Sequence, residues 1–481
     1  MSDDKTSSAG HLSFLSEEDK RRIYDGALHI LAEVGMSVHH TEGRESMLAA
    51  GCTQDDNGRV HVPRTLVEQA HATAPARIAL YDRAGEPAFT LGGYEAVFGT
   101  GSDLMHTYDL ESGERRETSL ADVASSARLC DALEHIDFVM SGAYPHEVES
   151  HRAYLEEFRA MVTSTTKPLV MTAEGGADVE RMWAAASDLR GGEEALRSKP
   201  YFIVYGQPSS PLEHPVDSVD KLFLCADTGI PAIYSPAPLA GGTAPITVAG
   251  HVAQGLAESL FGLVMHQLRR PGSPFITGMG PAVLDMATAQ SSYNAPEYLQ
   301  SYACFVEMAR WLDLPNWGYG GTSDAQVVDA QAGMEIAELT LLSMLLGSNL
   351  NHDVGYLDFG LTGSLEQIVI VDEYIAMNRR LLGGVEVSDD TLALDVIADI
   401  GPGGDALSHR HTAKHMRRAQ WRPRILNRKG HERWLESGAP DLREAARRRA
   451  LALLETHSPA PLDEVLARRL NEIVDEFAPD A

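Results

Sequence analysis

The sequence predicts an α/β protein built on a (β/α)8 barrel, the TIM-barrel fold, with an N-terminal extension and a C-terminal helical extension. From residue 96 onward, short segments rich in β-branched and aromatic residues alternate with longer amphipathic segments. Small or polar residues follow each short segment, as they follow the strands of a parallel barrel. Eight such units within about 280 residues favour a closed barrel over an open sheet.

The predicted strands and helices follow one another in the order that a parallel sheet requires. The strands are predicted at 96–100, 137–141, 168–172, 201–205, 232–235, 274–277, 316–319 and 349–352. The intervening helices include 120–134, 149–163, 178–189, 216–228, 248–268 and 296–312. We therefore expect three regions: a helical and small-sheet extension (1–95), the catalytic barrel (96–375) and a C-terminal helical extension (376–481).

Composition excludes several classes of partner. The 40 lysines and arginines against 69 aspartates and glutamates leave a net charge of −29, which argues against nucleic acid and anionic membrane surfaces as partners. The N-terminus is polar, and no apolar run of about 18 residues is present, so a cytoplasmic protein without membrane association is expected. The four cysteines lie far apart and lack the spacing of a zinc site.

Residues at the predicted strand ends are the candidates for chemistry, because barrel enzymes place their active sites there. No lysine stands at a strand end, which disfavours Schiff-base chemistry, and no carboxylate pair suggests a glycosidase. The one group that could approach a metal cage is His352 with Asp353 and Asp324, and we predict no metal site from it.

Aromatic residues are frequent at or near the predicted barrel mouth. They are Tyr94, Phe98, Tyr144, Tyr205, Tyr234, Tyr319, Tyr356 and Phe359. An aromatic lining suits a quaternary ammonium cation, because ring faces attract a charge that cannot donate hydrogen bonds. Ordinary packing of the barrel and its loops explains the same residues equally well.

Several separate segments also resemble the trimethylamine methyltransferase family over nearly the whole chain. They include 168–173, 235–245, 270–272, 285–288 and 321–333, together with Gly403-Gly404 and His409-Arg410-His411-Thr412. The resemblance implies a TIM-barrel enzyme that moves a methyl group from a methylated amine to the Co(I) atom of a corrinoid (cobalamin) carried by a separate small protein. The founding members contain pyrrolysine, whereas this chain shows only the twenty ordinary residues. It therefore resembles the branch without pyrrolysine, whose characterised members act on quaternary amines such as glycine betaine.

The resemblance also suggests roles for individual residues. It implies Phe98 and Phe359 as walls around the methylated head group, and Thr100, Gln331 and His352 as polar groups that orient the substrate or face the cobalt. The remaining candidates are Asp324 in a catalytic role and Asp103 and Tyr205 in substrate binding, although the two aspartates could equally cap loops.

The expected function is methyl transfer from glycine betaine, or a related betaine, to a partner corrinoid protein. Three alternatives stay open: a betaine-binding protein without transfer activity, a different betaine or sulfonium donor, and a folate acceptor. The sequence leaves the formation of a homo-oligomer open.

Overall fold

The computed structural model describes residues 10–476, and its centre is a closed ring of eight parallel strand segments. These strands are β1 (Val97–Phe98), β2 (138–139), β3 (Leu169–Met171), β4 (Phe202–Gly206), β5 (Ala232–Tyr234), β6 (Phe275–Thr277), β7 (Trp317–Tyr319) and β8 (Leu350–His352). Strands β3 to β6 form one parallel sheet, and β7, β8 and β1 form another. Single parallel bridges at Thr277–Asn316, Gly99–Phe138 and Val139–Leu169 close the ring.

One long helix follows each strand, as a (β/α)8 barrel requires. These helices are α1 (Leu120–Ala132), α2 (Ser150–Ser164), α3 (Gly176–Arg190), α4 (Val216–Thr228), α5 (Val248–Arg269), α6 (Pro296–Trp311), α7 (Ala330–Leu346) and α8 (Leu365–Leu382). The predicted alternation is confirmed, and each of the six helices predicted between the strands lies within two residues of its predicted bounds.

The N-terminal end of the barrel is closed by a hairpin. Its antiparallel strands, Ile78–Tyr81 and Pro87–Leu91, contribute Ile78, Leu80 and Leu91 to the apolar cluster inside the barrel. The barrel strands contribute Val97, Val170, Ile203, Ile233, Ile276, Trp317 and Leu350 to the same cluster. The C-terminal ends of the strands are therefore where a site can open.

The rest of the N-terminal region packs on the outside of the barrel. Its helices are Glu17–His29 with a π-helical turn at Ile30–Val34, Thr41–Ala49 and Arg64–Thr73, and all of them contact α5. A capping box between Ser16 and Asp19 starts the first of these helices. These contacts explain why α5 is so apolar. It alone among the described helices is long and apolar enough to cross a membrane, but 78% of its most apolar 18 residues are buried, as in a core helix.

A small sheet built from two loops lies at the C-terminal end of the barrel, and we call it the lid sheet. Its strands are Tyr356–Leu357, Thr362–Gly363, His106–Tyr108 and Arg115–Glu117, in that spatial order. They come from the loops that follow β8 and β1. Three further two-stranded pairs join Ser37–Val38 to Glu213–His214, Thr53–Gln54 to Val60–His61, and Val283–Leu284 to Ser291–Ser292.

The C-terminal region is helical. Two long helices lie on the barrel flank: Leu442–Thr456 contacts α8 and α1, and Glu464–Asp475 contacts α2 and α3. Four short helices precede them, at Asp389–Leu392, Leu394–Ile400, Arg410–Ala419 and His431–Glu436.

Candidate active site

Several tyrosines lie near one buried carboxyl group at the C-terminal end of the barrel. The carboxyl belongs to Asp353, which directly follows β8 and is 5% exposed. Burial raises the pKa values of Tyr205, Tyr293, Tyr319 and Tyr356, and the nearby Asp353 carboxyl raises each of them further. All four hydroxyls therefore lie within electrostatic reach of Asp353, and we call the four residues the tyrosine cluster.

Asp353 has no cationic partner among residues 10–476. The one basic side chain in close contact with it is His352, whose ring is neutral, and burial alone raises the pKa of Asp353 well above the usual range. The charged groups that act most strongly on the tyrosine cluster are carboxyls and other tyrosines. An ionised Asp353 is therefore an uncompensated buried charge, which is costly unless a cation joins it.

His352 lies beside Asp353, and both side chains are buried. The His352 ring stacks on Trp317, with centroids 4.0 Å apart, and its Nδ1 lies 2.6 Å from the carbonyl oxygen of Gly318. Burial lowers the pKa of His352 to about 3, so the ring is neutral and Nδ1 carries the hydrogen that Gly318 accepts. The other ring nitrogen, Nε2, lies 3.3 Å from Asp353 Oδ1 and offers it no positive charge.

Close backbone approach fixes the carboxyl and one ring. A Cβ atom on Gly101 would lie 2.2 Å from the Tyr356 hydroxyl and 2.3 Å from Asp353 Oδ1, so only glycine fits at the end of β1. The Tyr356 hydroxyl donates a hydrogen bond to the carbonyl of Ser102. The loop after β1 thereby holds Tyr356 against Asp353.

A pair of carboxyl groups, those of Asp103 and Glu157, lies on the β1 side of the barrel. Asp103 accepts a hydrogen bond from the Ser102 hydroxyl at 2.7 Å through Oδ2, while its buried Oδ1 has no partner. Glu157, on α2, is fully buried, and neither of its oxygens has a partner. Burial and then the Asp103 carboxyl raise the pKa of Glu157 well above its usual range. This pair adds to the negative character of the mouth when it is ionised.

Three of the sequence-predicted site residues come together here. His352 and Tyr205 lie on either side of Trp317, with the Tyr205 ring centroid 5.8 Å from that of Trp317. Tyr205 is half-buried and its hydroxyl donates to Gln207 Oε1 at 2.7 Å. Asp103 acts electrostatically on both Tyr205 and Tyr356.

Phe98 and Thr100 do not join this group, which corrects the expectation drawn from their motif. Side chains alternate along a strand, so Val97 faces the barrel interior and Phe98 faces the surrounding helices, fully buried in their core. The Thr100 hydroxyl bridges two strands, donating to the Met140 carbonyl and accepting from the Met140 amide, both at 2.9 Å. Both residues hold the barrel together.

Asp324 and Gln331 organise the loops above β7. Asp324 accepts hydrogen bonds from the Ser292 hydroxyl at 2.5 Å and the Tyr293 amide at 2.9 Å, so it positions the loop that carries Tyr293. Gln331 is exposed and donates to Glu335 Oε1 at 2.9 Å. The other oxygen of Glu335 accepts from the Asp324 amide at 2.9 Å, which links the two predicted residues.

Phe359 lies in the lid sheet, in the turn Asp358–Gly360, with a positive φ of 54° and a half-buried side chain. A Cβ atom on the adjacent Gly360 would lie 3.6 Å from the rings of Tyr293 and Tyr356. The turn therefore borders the tyrosine cluster.

Besides Phe98, two further residues of the predicted aromatic lining lie elsewhere. Tyr94 precedes β1, at the opposite end of the barrel, where it stacks on His11 and under Arg310. Tyr234 points away from the barrel interior, and its hydroxyl lies 2.8 Å from His214 Nδ1.

Sequence reasoning missed Tyr293 and Glu157 as site residues. Tyr293 sits in a long loop, and Glu157 on a helix, so neither could be read from a strand end.

Comparison with known proteins agrees with the fold. The sequence profile described as trimethylamine methyltransferase (MTTB) matches residues 4–477. A trimethylamine methyltransferase MttB from Desulfitobacterium hafniense (strain DSM 10664 / DCB-2) is 31% identical over 466 residues, covering 97% of this chain and 94% of that protein. A glycine betaine methyltransferase from Desulfitobacterium hafniense (strain Y51) is 28% identical over 466 residues, covering 96% of both chains.

Among solved structures, the monomethylamine methyltransferase MtmB of Methanosarcina barkeri superposes with a TM-score of 0.54 at 11% identity. The superposition covers 93% of this chain and 88% of that one. This likeness concerns the fold, whereas the profile match spans almost the whole sequence. The chain therefore belongs to the trimethylamine methyltransferase (MTTB) family.

Proposed function

We propose that this protein is a cytoplasmic methyltransferase that moves a methyl group from a quaternary ammonium cation to the Co(I) corrinoid of a separate small corrinoid protein. Family membership supports the reaction class. The observation that carries the substrate class is Asp353, a buried carboxyl that lies near several tyrosines and has no cationic partner among residues 10–476. The proposed substrate site and the tyrosine cluster lie within residues 96–375, the proposed catalytic barrel, and so does the rim of the barrel mouth.

The tyrosine cluster and Asp353 recognise complementary properties of such a cation. Tyrosine ring faces attract a positive charge at short range, and they require no hydrogen-bond donor from the ligand. The ligand charge supplies the counter-ion that Asp353 lacks, so binding favours ionisation of Asp353. A quaternary nitrogen has no hydrogen to donate, so this combination suits it better than a polar site does.

The reaction makes few demands on the protein beyond placement. The corrinoid supplies a strongly nucleophilic cobalt that accepts the methyl group. When the carbon–nitrogen bond breaks, its electron pair stays on nitrogen, so a neutral tertiary amine leaves without a general acid. The protein's residues therefore have to bind the cation, point one methyl group toward the mouth and exclude water.

Glycine betaine and related betaines are the first candidate donors, because a relative named glycine betaine methyltransferase aligns over 96% of this chain. A quaternary amine without a carboxylate is the second candidate. Asp353, Asp103 and Glu157 repel a betaine carboxylate when ionised, and this repulsion favours a simple cation. Lys221 is the basic group that acts on Asp103, and its Nζ donates to the Ala173 carbonyl at 2.9 Å. We propose that a betaine carboxylate would lie on that side.

The rim of the mouth offers a surface for the corrinoid protein. Large apolar side chains are exposed there, on the loops after β1, β5, β6 and β8 and on the first turn of α7: Met105, Ile246, Met286, Leu361 and Met334. Apolar side chains exposed together around a mouth indicate a protein contact. We propose that the corrinoid protein docks on this rim and presents its cobalt above the tyrosine cluster.

The test mixes the purified protein with Co(I) cobalamin and one donor at a time, and follows the cobalamin spectrum. The panel contains glycine betaine, carnitine, proline betaine, a sulfonium betaine, choline and tetramethylammonium. Methylation of the cobalamin by one donor supports the proposal, and the variant Asp353→Asn should lose it. Calorimetric binding of a betaine without methylation would instead support a binding protein, and methylation of tetrahydrofolate without cobalamin would support a folate acceptor.

A further inference from the structure

Three potential metal ligands meet on the segment 383–420, which we call the C-terminal arm. They are Asp390, on the short helix Asp389–Leu392, and His411 and His415, on the helix Arg410–Ala419. One ligand atom from each residue lies within 4.8 Å of the other two. The group is separate from the tyrosine cluster and contains none of its residues.

The two histidines are arranged as a pair on one helix face. Residues four apart on a helix lie one above the other, and the ring centroids of His411 and His415 are 4.2 Å apart. His415 Nε2 lies 3.2 Å from Asp390 Oδ2, yet it is buried and has no hydrogen-bond partner. His411 Nε2 lies 3.0 Å from the backbone carbonyl of Asp390. Both imidazoles therefore point at the same residue of the facing helix.

A cation already occupies part of this group. The Lys414 ammonium lies 2.7 Å and 2.8 Å from the two oxygens of Asp390, and hydrogen bonding to it lowers the pKa of that carboxyl. The Lys414 side chain is 62% exposed, so it can turn into solvent without loss of packing. When Lys414 turns away, both oxygens of Asp390 are open to another cation.

We propose that Asp390, His411 and His415 bind one Zn²⁺ ion that clamps the helix Asp389–Leu392 to the helix Arg410–Ala419. Two imidazoles and one carboxylate suit zinc, whereas calcium and magnesium prefer oxygen ligands alone. Tetrahedral zinc places its ligand atoms about 3.3 Å apart, so these side chains need to move by roughly 1 Å. Water completes the coordination.

The C-terminal arm lacks the packing that would otherwise hold its helices. The three helices of the arm have 4, 7 and 10 residues, and the longest has no buried residue. Leu394 is 68% exposed, Ile397 61% and Leu407 86%. Helices this short are marginal without tertiary packing, so a metal cross-link would contribute the order that a core does elsewhere.

The test uses the untagged, full-length protein after chelator treatment. Calorimetric titration with Zn²⁺ is expected to show one site, and Co²⁺ in its place should give the visible absorption of a tetrahedral centre. The double variant His411→Ala/His415→Ala and the variant Asp390→Asn should each weaken binding by about tenfold or more. The matched control His431→Ala removes an exposed histidine of the same region and should bind as the parent does.

Lys414→Met provides an independent check, because removing the competing ammonium should tighten Zn²⁺ binding. Hydrogen exchange should also slow across residues 389–415 when Zn²⁺ is added to the parent and not to the double variant. Absence of Zn²⁺ binding in the parent, or binding that the double variant retains, overturns the proposal. Metal binding and hydrogen exchange are both measured without methyl transfer.

Discussion

Replacing Asp353 by asparagine is expected to weaken binding of a quaternary ammonium cation by about 3 kcal/mol. The substitution keeps the shape of the side chain, and asparagine tolerates the positive φ of 69° at this position. A cationic nitrogen about 5 Å from the carboxylate, at an effective dielectric constant of about 20, is attracted by roughly 3.3 kcal/mol. Loss of that attraction corresponds to a weakening of about 250-fold.

The pH dependence of binding gives a second readout of the same variant. The raised pKa of Asp353 keeps its carboxyl protonated in the free protein over a wider pH range than usual. Cation binding needs the ionised form, so affinity should rise by up to tenfold per pH unit until the pH passes that pKa, and then level off. The asparagine variant should show no such rise. Calorimetry with tetramethylammonium and with glycine betaine, across pH 5–9, measures both effects.

Asp353→Asn should weaken cation binding but stabilise the free protein. The folded-state pKa of Asp353 lies above its unfolded value, so the folded protein binds more protons. The stability that this group contributes is complete below the unfolded pKa and is lost as the pH rises through the folded pKa. Asp353→Asn should therefore raise the melting temperature of the free protein above that pKa. A variant that binds the cation as tightly as the parent, with the same pH profile, would refute the role of Asp353.

Further predictions concern the tyrosine cluster, the strand core and the rim. Tyr293→Ala should weaken cation binding by about 1–2 kcal/mol in calorimetry, whereas Tyr94→Ala, at the other end of the barrel, should not. Phe98→Ala should instead destabilise the fold by about 3–5 kcal/mol in denaturant titration, with unchanged cation affinity in the protein that remains folded. Met286→Asp should slow methylation of a protein-bound corrinoid and leave methylation of free cobalamin unaffected. The control Val385→Asp, on the C-terminal arm, should leave both rates unchanged.

The barrel could be predicted from the sequence because two periodicities alternate along it. Period-two and period-3.6 patterns located all eight strands and six of the helices, including 216–228, which matches α4 at both ends. It was harder to predict which side chains of a strand face the barrel interior and which face the helices. In a parallel barrel both faces of a strand are buried, so Val97 and Phe98 are both apolar, and hydrophobicity does not indicate which one faces the interior.

The site was predictable where it follows directly from strand ends and obscure where loops build it. Asp103, Tyr205 and His352 were found because each lies at or just beyond a strand end. Tyr293 reaches the same place only because Asp324 binds its loop, a contact across 31 residues that no periodicity encodes. Asp324 was correctly noticed, but its contacts identify it as a positioning residue for that loop.

The unpaired charge of Asp353 makes charge the property by which this site should select its ligand. Glycine betaine and 3,3-dimethylbutanoate have nearly the same shape, but the second carries carbon in place of the cationic nitrogen. Choline and 3,3-dimethylbutan-1-ol form a second matched pair. Shape selection predicts similar affinities within each pair, whereas attraction to Asp353 predicts a preference for the cation of about 250-fold, by the estimate above. Asp353→Asn should largely abolish that preference, because the tyrosine faces alone discriminate by about 1–2 kcal/mol. A preference that stays at its full parental size in the variant would assign recognition of the cation to the tyrosine rings and leave Asp353 with a structural role.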